Sequence, residues 1–129
     1  SFPADQGPSA SLVTNVTISG NTIYNNGKLA TNSSGIKLSQ QKGVKVTNNI
    51  VKDNMQNGII IVKGSTGNTV TGNTVTNNGN PTDTKYGFGI LLYDRATNNI
   101  VTNNTVTGNN KNIIEDPAGF NTINTNIVK

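Results

Sequence analysis

Thr97–Asn110 reads TNNIVTNNTVTGNN, a run of Asn, Thr and Gly broken by single β-branched apolar residues. A polar tract of so few residue types ordinarily signals disorder, because it cannot bury enough apolar surface to offset the entropy of ordering. Its phase argues otherwise. Val101 and Val106 are each followed three positions later by an Asn, Asn104 and Asn109.

The same phase extends outward from this stretch. NVTISGNTIYNNG from Asn15, GVKVTNNIVKDN from Gly43, NTVTGNTVTNNG from Asn68, NIVTNNTVTGNN from Asn99 and NTINTNIVK from Asn121 align column by column. One apolar column is Ile18, Val46, Val70, Val101, Ile123, and another is Ile23, Val51, Val75, Val106, Val128. Between them lies Asn21, Asn49, Asn73, Asn104, Asn126, and a second Asn column follows at Asn26, Asn54, Asn78, Asn109.

Upstream of each of the last four repeats stands a further apolar segment: GIKL from Gly35, GIII from Gly58, GILL from Gly89 and NIIE from Asn112. From its leading Ile to the first Asn column the distance is 13, 14, 14 and 13 residues (Ile36 to Asn49, Ile59 to Asn73, Ile90 to Asn104, Ile113 to Asn126). Three short alternating β segments therefore make each repeat, and helical spacing is never sustained. Asn26-Gly27, Asn57-Gly58 and Asn78-Gly79 are expected to mark bends where positive φ is cheap. Such a repeat predicts an all-β, single-stranded parallel β-helix of about five coils, with successive coils ~4.8 Å apart. Residues 15–129 are expected to form that solenoid, and residues 1–14 an irregular segment or partial coil.

Stacking explains the Asn columns. An Asn at the bend between second and third strands can donate and accept toward the Asn above and below while bonding local backbone. Each such bond is worth about 1 kcal/mol net, whereas an unsatisfied bend would cost about 1–3 kcal/mol per group. The Val and Ile columns fill the interior at about 1.5–3 kcal/mol per fully buried side chain.

Composition narrows the chemistry. The 129 residues include no Cys, Trp or His, so this chain offers no disulfide, no imidazole acid–base group and no His-ligated metal. Net charge is +4, but the lysines are scattered singly, and no basic run points to nucleic acid. No stretch approaches the ~18 consecutive apolar residues of a membrane-spanning helix.

The pattern G-I-x-L … N-x-V-x-x-N-x-V-x-x-N resembles the right-handed parallel β-helix repeat of the pectate-lyase-like superfamily, over Asn15 to Lys129. That resemblance implies a right-handed coil and, as the commonest use, carbohydrate chemistry, with polysaccharide lying along the sheet built from the first strands. It implies a secreted or extracellular protein, polysaccharide-active in the manner of a lyase, hydrolase or epimerase. The alternative is a non-catalytic structural or carbohydrate-binding module, such as a phage tailspike or cell-surface stalk. The last columns stop without a covering segment, so the expected neighbour is the rest of a longer β-helix, or another copy over the coil ends.

Chemistry is expected where the period is broken, between third and first strands. Asn-to-Ile distances of 15 and 17 residues (Asn21 to Ile36, Asn73 to Ile90) contrast with 10 and 9 (Asn49 to Ile59, Asn104 to Ile113). The two insertions, Gly27–Gly35 and Gly79–Gly89, should project beside the first-strand sheet, with Tyr86 and Phe88 offering rings for sugar faces. Lys37, on the sheet, and Lys63 and Tyr93, just after first strands, complete the candidate substrate-binding set. Asp94, Arg95 and Asp116 are the candidate catalytic residues. Stacking would put the two Asp residues about one strand spacing apart, near the ~5–5.5 Å of a retaining glycosidase pair. The same pair could hold Ca²⁺, with Arg95 or Lys63 as base toward an acidic sugar. Against this, the outward first-strand positions Lys37, Ile60, Leu91 and Ile114 are mostly apolar, which suits a covered surface better than a catalytic floor. Glu115 falls in an inward column, which is expected to leave the last coil open to water. Thr74/Thr76 and Thr105/Thr107 form outward Thr pairs, interrupted by Ile50/Lys52 and Ile127/Lys129.

Overall fold

The computed structural model describes residues 15–27, 33–83, 85–114 and 119–129. The chain winds through β1 (Thr17–Ser19), β2 (Thr22–Tyr24), β3 (Ile36–Ser39), β4 (Lys45–Thr47), β5 (Ile50–Lys52), β6 (Ile59–Val62) and β7 (Thr69–Thr71). It continues through β8 (Thr74–Thr76), β9 (Ile90–Leu92), β10 (Ile100–Thr102), β11 (Thr105–Thr107), β12 (Thr122–Asn124) and β13 (Ile127–Val128). No strand pairs with its neighbour in sequence. Each pairs in parallel with its counterpart one coil away, giving a first-strand sheet β3-β6-β9, a second-strand sheet β1-β4-β7-β10-β12 and a third-strand sheet β2-β5-β8-β11-β13. The result is a right-handed solenoid of about four turns.

Register follows the columns. Val46 pairs with Val70 and Val70 with Val101 in the second-strand sheet. Val51 pairs with Val75 and Val75 with Val106 in the third, and Ile36, Ile59 and Ile90 stack in the first. A strand of three residues has one inward side chain and two outward ones, so each Thr-Val-Thr places Val in the core. Val46, Val51, Val70, Val75, Val101 and Val106 are fully buried, and with Ile59, Ile61, Ile90 and Leu92 they form one continuous core.

Three asparagine ladders, rather than the two expected, run inside this core. In the first, the backbone N–H and Nδ2 of Asn49 both donate to Oδ1 of Asn73, at 2.9 and 3.0 Å. Asn73 repeats this toward Asn104 and Asn104 toward Asn126. The second Nδ2 proton of Asn73 goes down the stack to the carbonyl of Val46. Asn26, Asn54, Asn78 and Asn109 form the second ladder in the same way. Asn68, Asn99 and Asn121 form the third, with Val44 N–H, one coil down, donating to Asn68 Oδ1. The signal was present in the aligned repeats, whose opening residues are Asn68, Asn99 and Asn121.

The residue before each Asn of the first two ladders is left-handed. Gly20, Asn48, Gly72, Asn103 and Thr125 precede the first ladder, and Asn25, Asp53, Asn77 and Gly108 the second, all with φ between 54° and 70°. That conformation is open to Gly and costs Asn and Asp less than other side chains, because their short polar groups bond locally. Hence the recurring Asn-Asn and Gly-Asn dipeptides: one residue turns the chain and the next fills the ladder. Two of the three expected Asn-Gly bends have positive φ at glycine, Gly27 and Gly79. Gly58 does not. It is needed for space, since a Cβ there would overlap Val75 and lie 2.6 Å from the carbonyl oxygen of Gly89.

Replacing Asn73 by Ala removes the acceptor for two buried Asn49 donors and the donor for Val46 O. Asn73→Ala is therefore expected to cost about 3 kcal/mol or more, whereas Asn48→Gly, which keeps the turn, should stay within about 1 kcal/mol. Guanidinium unfolding midpoints of the two variants separate these outcomes.

Candidate functional site

The first-strand sheet presents Lys37, Ile60, Leu91 and Ile114 outward in one register column. Lys37 is exposed and Ile114 is 42% exposed, but Ile60 is only 7% exposed, and Val62 on the same face is buried. The middle of the sheet is therefore already dry. Polar side chains capable of chemistry stand along its two edges instead.

The leading edge is the insertion between β8 and β9, residues 79–89. Its neck is closed by two glycines: a Cβ on Gly79 would lie 2.8 Å from the Gly87 Cα, and either glycine's would meet Asn110. Asn80 starts a tight turn by accepting the N–H and hydroxyl of Thr82 on Oδ1, at 3.0 and 2.9 Å. Asn110 Nδ2 donates to the Asn80 carbonyl at 2.8 Å, and Phe88 bridges in parallel to Lys111. The Lys111 ammonium lies 4.8 Å from the Phe88 ring centre, and that of Lys85 5.3 Å from the Tyr86 ring centre. Both are within the range of cation–π attraction. Beneath them, buried Asn57 accepts the N–H groups of Gly87 and Phe88 on Oδ1, at 3.3 and 3.0 Å. Its Nδ2 donates toward Ser34 Oγ at 3.4 Å, so one side chain ties the insertion to the coil below. Asn110 and Lys111 were not singled out from the sequence, and Asn57 was expected only to mark a bend. They lie in neighbouring coils, and only the stacking brings them to the loop.

The trailing edge carries Lys63, Tyr93, Asp94 and Arg95. Lys63 and Gly64 are left-handed, and one coil on so are Asp94 and Arg95, with Gly64 N–H donating to the Asp94 carbonyl at 2.9 Å. The corner thus aims these side chains outward. Arg95 Nε meets Asp94 Oδ1 at 3.4 Å, with the arginine side chain 81% exposed. A pair so open to water is worth little. Asp116, the expected partner of Asp94, and Glu115 lie outside the described residues. Among the described residues no three carboxylates come together in a group fit to hold a metal ion, and no buried side-chain polar atom lacks a partner. The structure thus brings Tyr86 and Phe88 together at one edge and Lys63, Tyr93, Asp94 and Arg95 at the other. The span between Phe88 and Tyr93 is roughly 16 Å of extended chain. Lys37 stands alone on the sheet face. The outward Thr pairs do stack, Thr74 on Thr105 and Thr76 on Thr107, on a different sheet.

Removing the Asn57 amide should free the leading-edge insertion. Asn57→Ala is expected to speed amide hydrogen exchange at Gly87 and Phe88 by roughly tenfold or more, measured by NMR or mass spectrometry. Asp94→Asn should change stability by less than about 0.5 kcal/mol.

The family model for the right handed beta helix region matches residues 5–128. No curated protein and no solved structure matches the chain. The in-register parallel sheets and the stacked inward columns are those of a parallel solenoid, and the chain belongs to the right-handed β-helix family.

Proposed function

We propose that this chain is a glycan-binding stretch of a secreted, polysaccharide-active β-helix protein, of lyase, hydrolase or epimerase type. It holds an extended sugar polymer along the leading edge of the first-strand sheet, with the bond-breaking residues supplied from outside the described coils. The observation that carries this reading is the pinned insertion 79–89. Tyr86 and Phe88 are half-buried, each with a lysine ammonium against its ring, and the whole is anchored from below by Asn57. Rings held in this way offer flat apolar faces to pyranose C–H groups, while Lys85 and Lys111 beside them suit hydroxyls or carboxylates. The exposed Asp94–Arg95 pair supports a rim contact better than general acid or base work, because nothing encloses it.

A specific observation favours a second reading, a non-catalytic module such as a stalk or fibre. The outward column Ile60, Leu91 and Ile114 is apolar, and Ile60 is already covered. A sheet face of that kind suits contact with protein better than contact with sugar.

Affinity gel electrophoresis with acidic and neutral polysaccharides distinguishes the two. Retardation that Phe88→Ala and Lys111→Ala each weaken roughly tenfold, about 1.4 kcal/mol, with circular dichroism unchanged, is the result expected of glycan binding. Unretarded migration with every polymer favours the structural module. No new reducing ends or ultraviolet-absorbing unsaturated products are expected from this chain alone.

A further inference from the structure

Asn26-Gly27, Asn57-Gly58 and Asn78-Gly79 are the chain's Asn-Gly pairs. This dipeptide has its own chemistry. The glycine nitrogen, after giving its proton to solvent, attacks the side-chain Cγ of the asparagine. The Cγ–Nδ2 bond breaks, the nitrogen takes up a proton and leaves as ammonia, and a five-membered cyclic imide remains. Water then opens the imide at either carbonyl to give aspartate or isoaspartate. Glycine favours the attack because no Cβ shields its nitrogen, and asparagine is among the thermolabile residues for this reason.

The stacked coils oppose every part of that reaction at two of the three pairs. Asn78 is 1% exposed. Its Nδ2 donates to Val51 O at 3.1 Å and to Asn109 Oδ1 at 2.8 Å, and its Oδ1 accepts from Asn54 N and Nδ2 at 3.1 and 2.9 Å. The attacking nitrogen is engaged as well, since Gly79 N–H donates to the Asn54 carbonyl at 2.8 Å. Asn57 is 2% exposed, its Oδ1 accepts from Gly87 and Phe88, and Gly58 N–H donates to the Phe88 carbonyl at 2.9 Å. Asn26 differs. It is exposed in the first described coil and is held from one side, through its N–H and Nδ2 on Asn54 Oδ1.

We propose that Asn57 and Asn78 are deamidation sites which the coil stack keeps shut, and that their conversion once the coils open makes unfolding irreversible. A carboxylate at position 78 would no longer donate to Val51 O or Asn109 Oδ1, and would set a negative charge against both oxygens in a dry interior. An isoaspartate adds a backbone methylene and displaces every following residue from the column it must join. Loss of fold and loss of covalent identity are thereby coupled, and the solenoid's working lifetime is set by the fraction of time its coils stand open.

The test holds the whole chain folded, and in parallel in guanidinium chloride, in the same mildly alkaline buffer. Peptide mapping by mass spectrometry follows conversion at the three Asn-Gly pairs, with Asn73-Thr74 and Asn104-Thr105 as internal references. In denaturant all three pairs should convert at similar rates, well ahead of the Thr-flanked references. In the folded protein Asn26 should convert, while Asn57 and Asn78 do so at least about tenfold more slowly than in denaturant, because attack waits for an opening event. On removal of denaturant, the fraction regaining the native circular dichroism spectrum should track the fraction intact at both positions. Equal rates at Asn78 in folded and unfolded chains would overturn the occlusion. Chains fully converted at Asn78 that refold with an unchanged unfolding midpoint would overturn the consequence.

Discussion

The buried asparagine ladder is the constraint from which the remaining structure follows. A parallel solenoid must turn its backbone between sheets, and each turn leaves N–H and C=O groups that no strand can pair. In a core of Val and Ile those groups would be costly to desolvate alone. An Asn side chain on each coil resolves this, because it has two donor protons and an acceptor with two lone pairs. Asn73 uses all of them, upward to Asn104, downward to Val46 and inward from Asn49. The arrangement works only when the next coil presents the same group at the same height, so each coil dictates the sequence of its neighbour.

Rigid spacing follows. The first and second ladders are five residues apart on each of the four coils that carry both, as from Asn49 to Asn54 and from Asn104 to Asn109. Between coils the ladder separations are 28, 24, 31 and 22 residues. Nearly all of that variation is taken up between third and first strands, where the ladders impose no length. Insertions are tolerated there because both flanking strands are already fixed, and the longest described one carries the aromatic rings of the leading edge. The site is thus placed by the scaffold's one permissive corner. Asn57 converts this freedom into a defined position by accepting two backbone N–H groups from the insertion of the next coil.

The trailing edge follows a different logic. Lys63, Tyr93, Asp94 and Arg95 were expected as a catalytic or binding group because they follow first strands, and they do share one edge. Their exposure is set by paired left-handed residues at the corner, which turn the side chains away from the core. An ion pair standing in water there contributes a solvated rim. Proximity in the stack is therefore not sufficient for chemistry; enclosure is also required.

By itself the sequence determined the solenoid: three short strands per repeat, the inward Val and Ile columns, the Asn at the bend and the register of every coil. These are legible because stacking of like upon like writes the same residue into the chain at each turn. Tertiary structure alone decided what crosses between coils at unlike positions. The seating of Val44 N–H on Asn68, the role of Gly58 as a gap for Val75, and the anchoring of residues 79–89 by Asn57, Asn110 and Lys111 belong here. Each joins residues that differ in kind and lie about one coil apart, so no repetition in the chain announces them. They become neighbours only when coils are piled at the ~4.8 Å spacing of parallel strands.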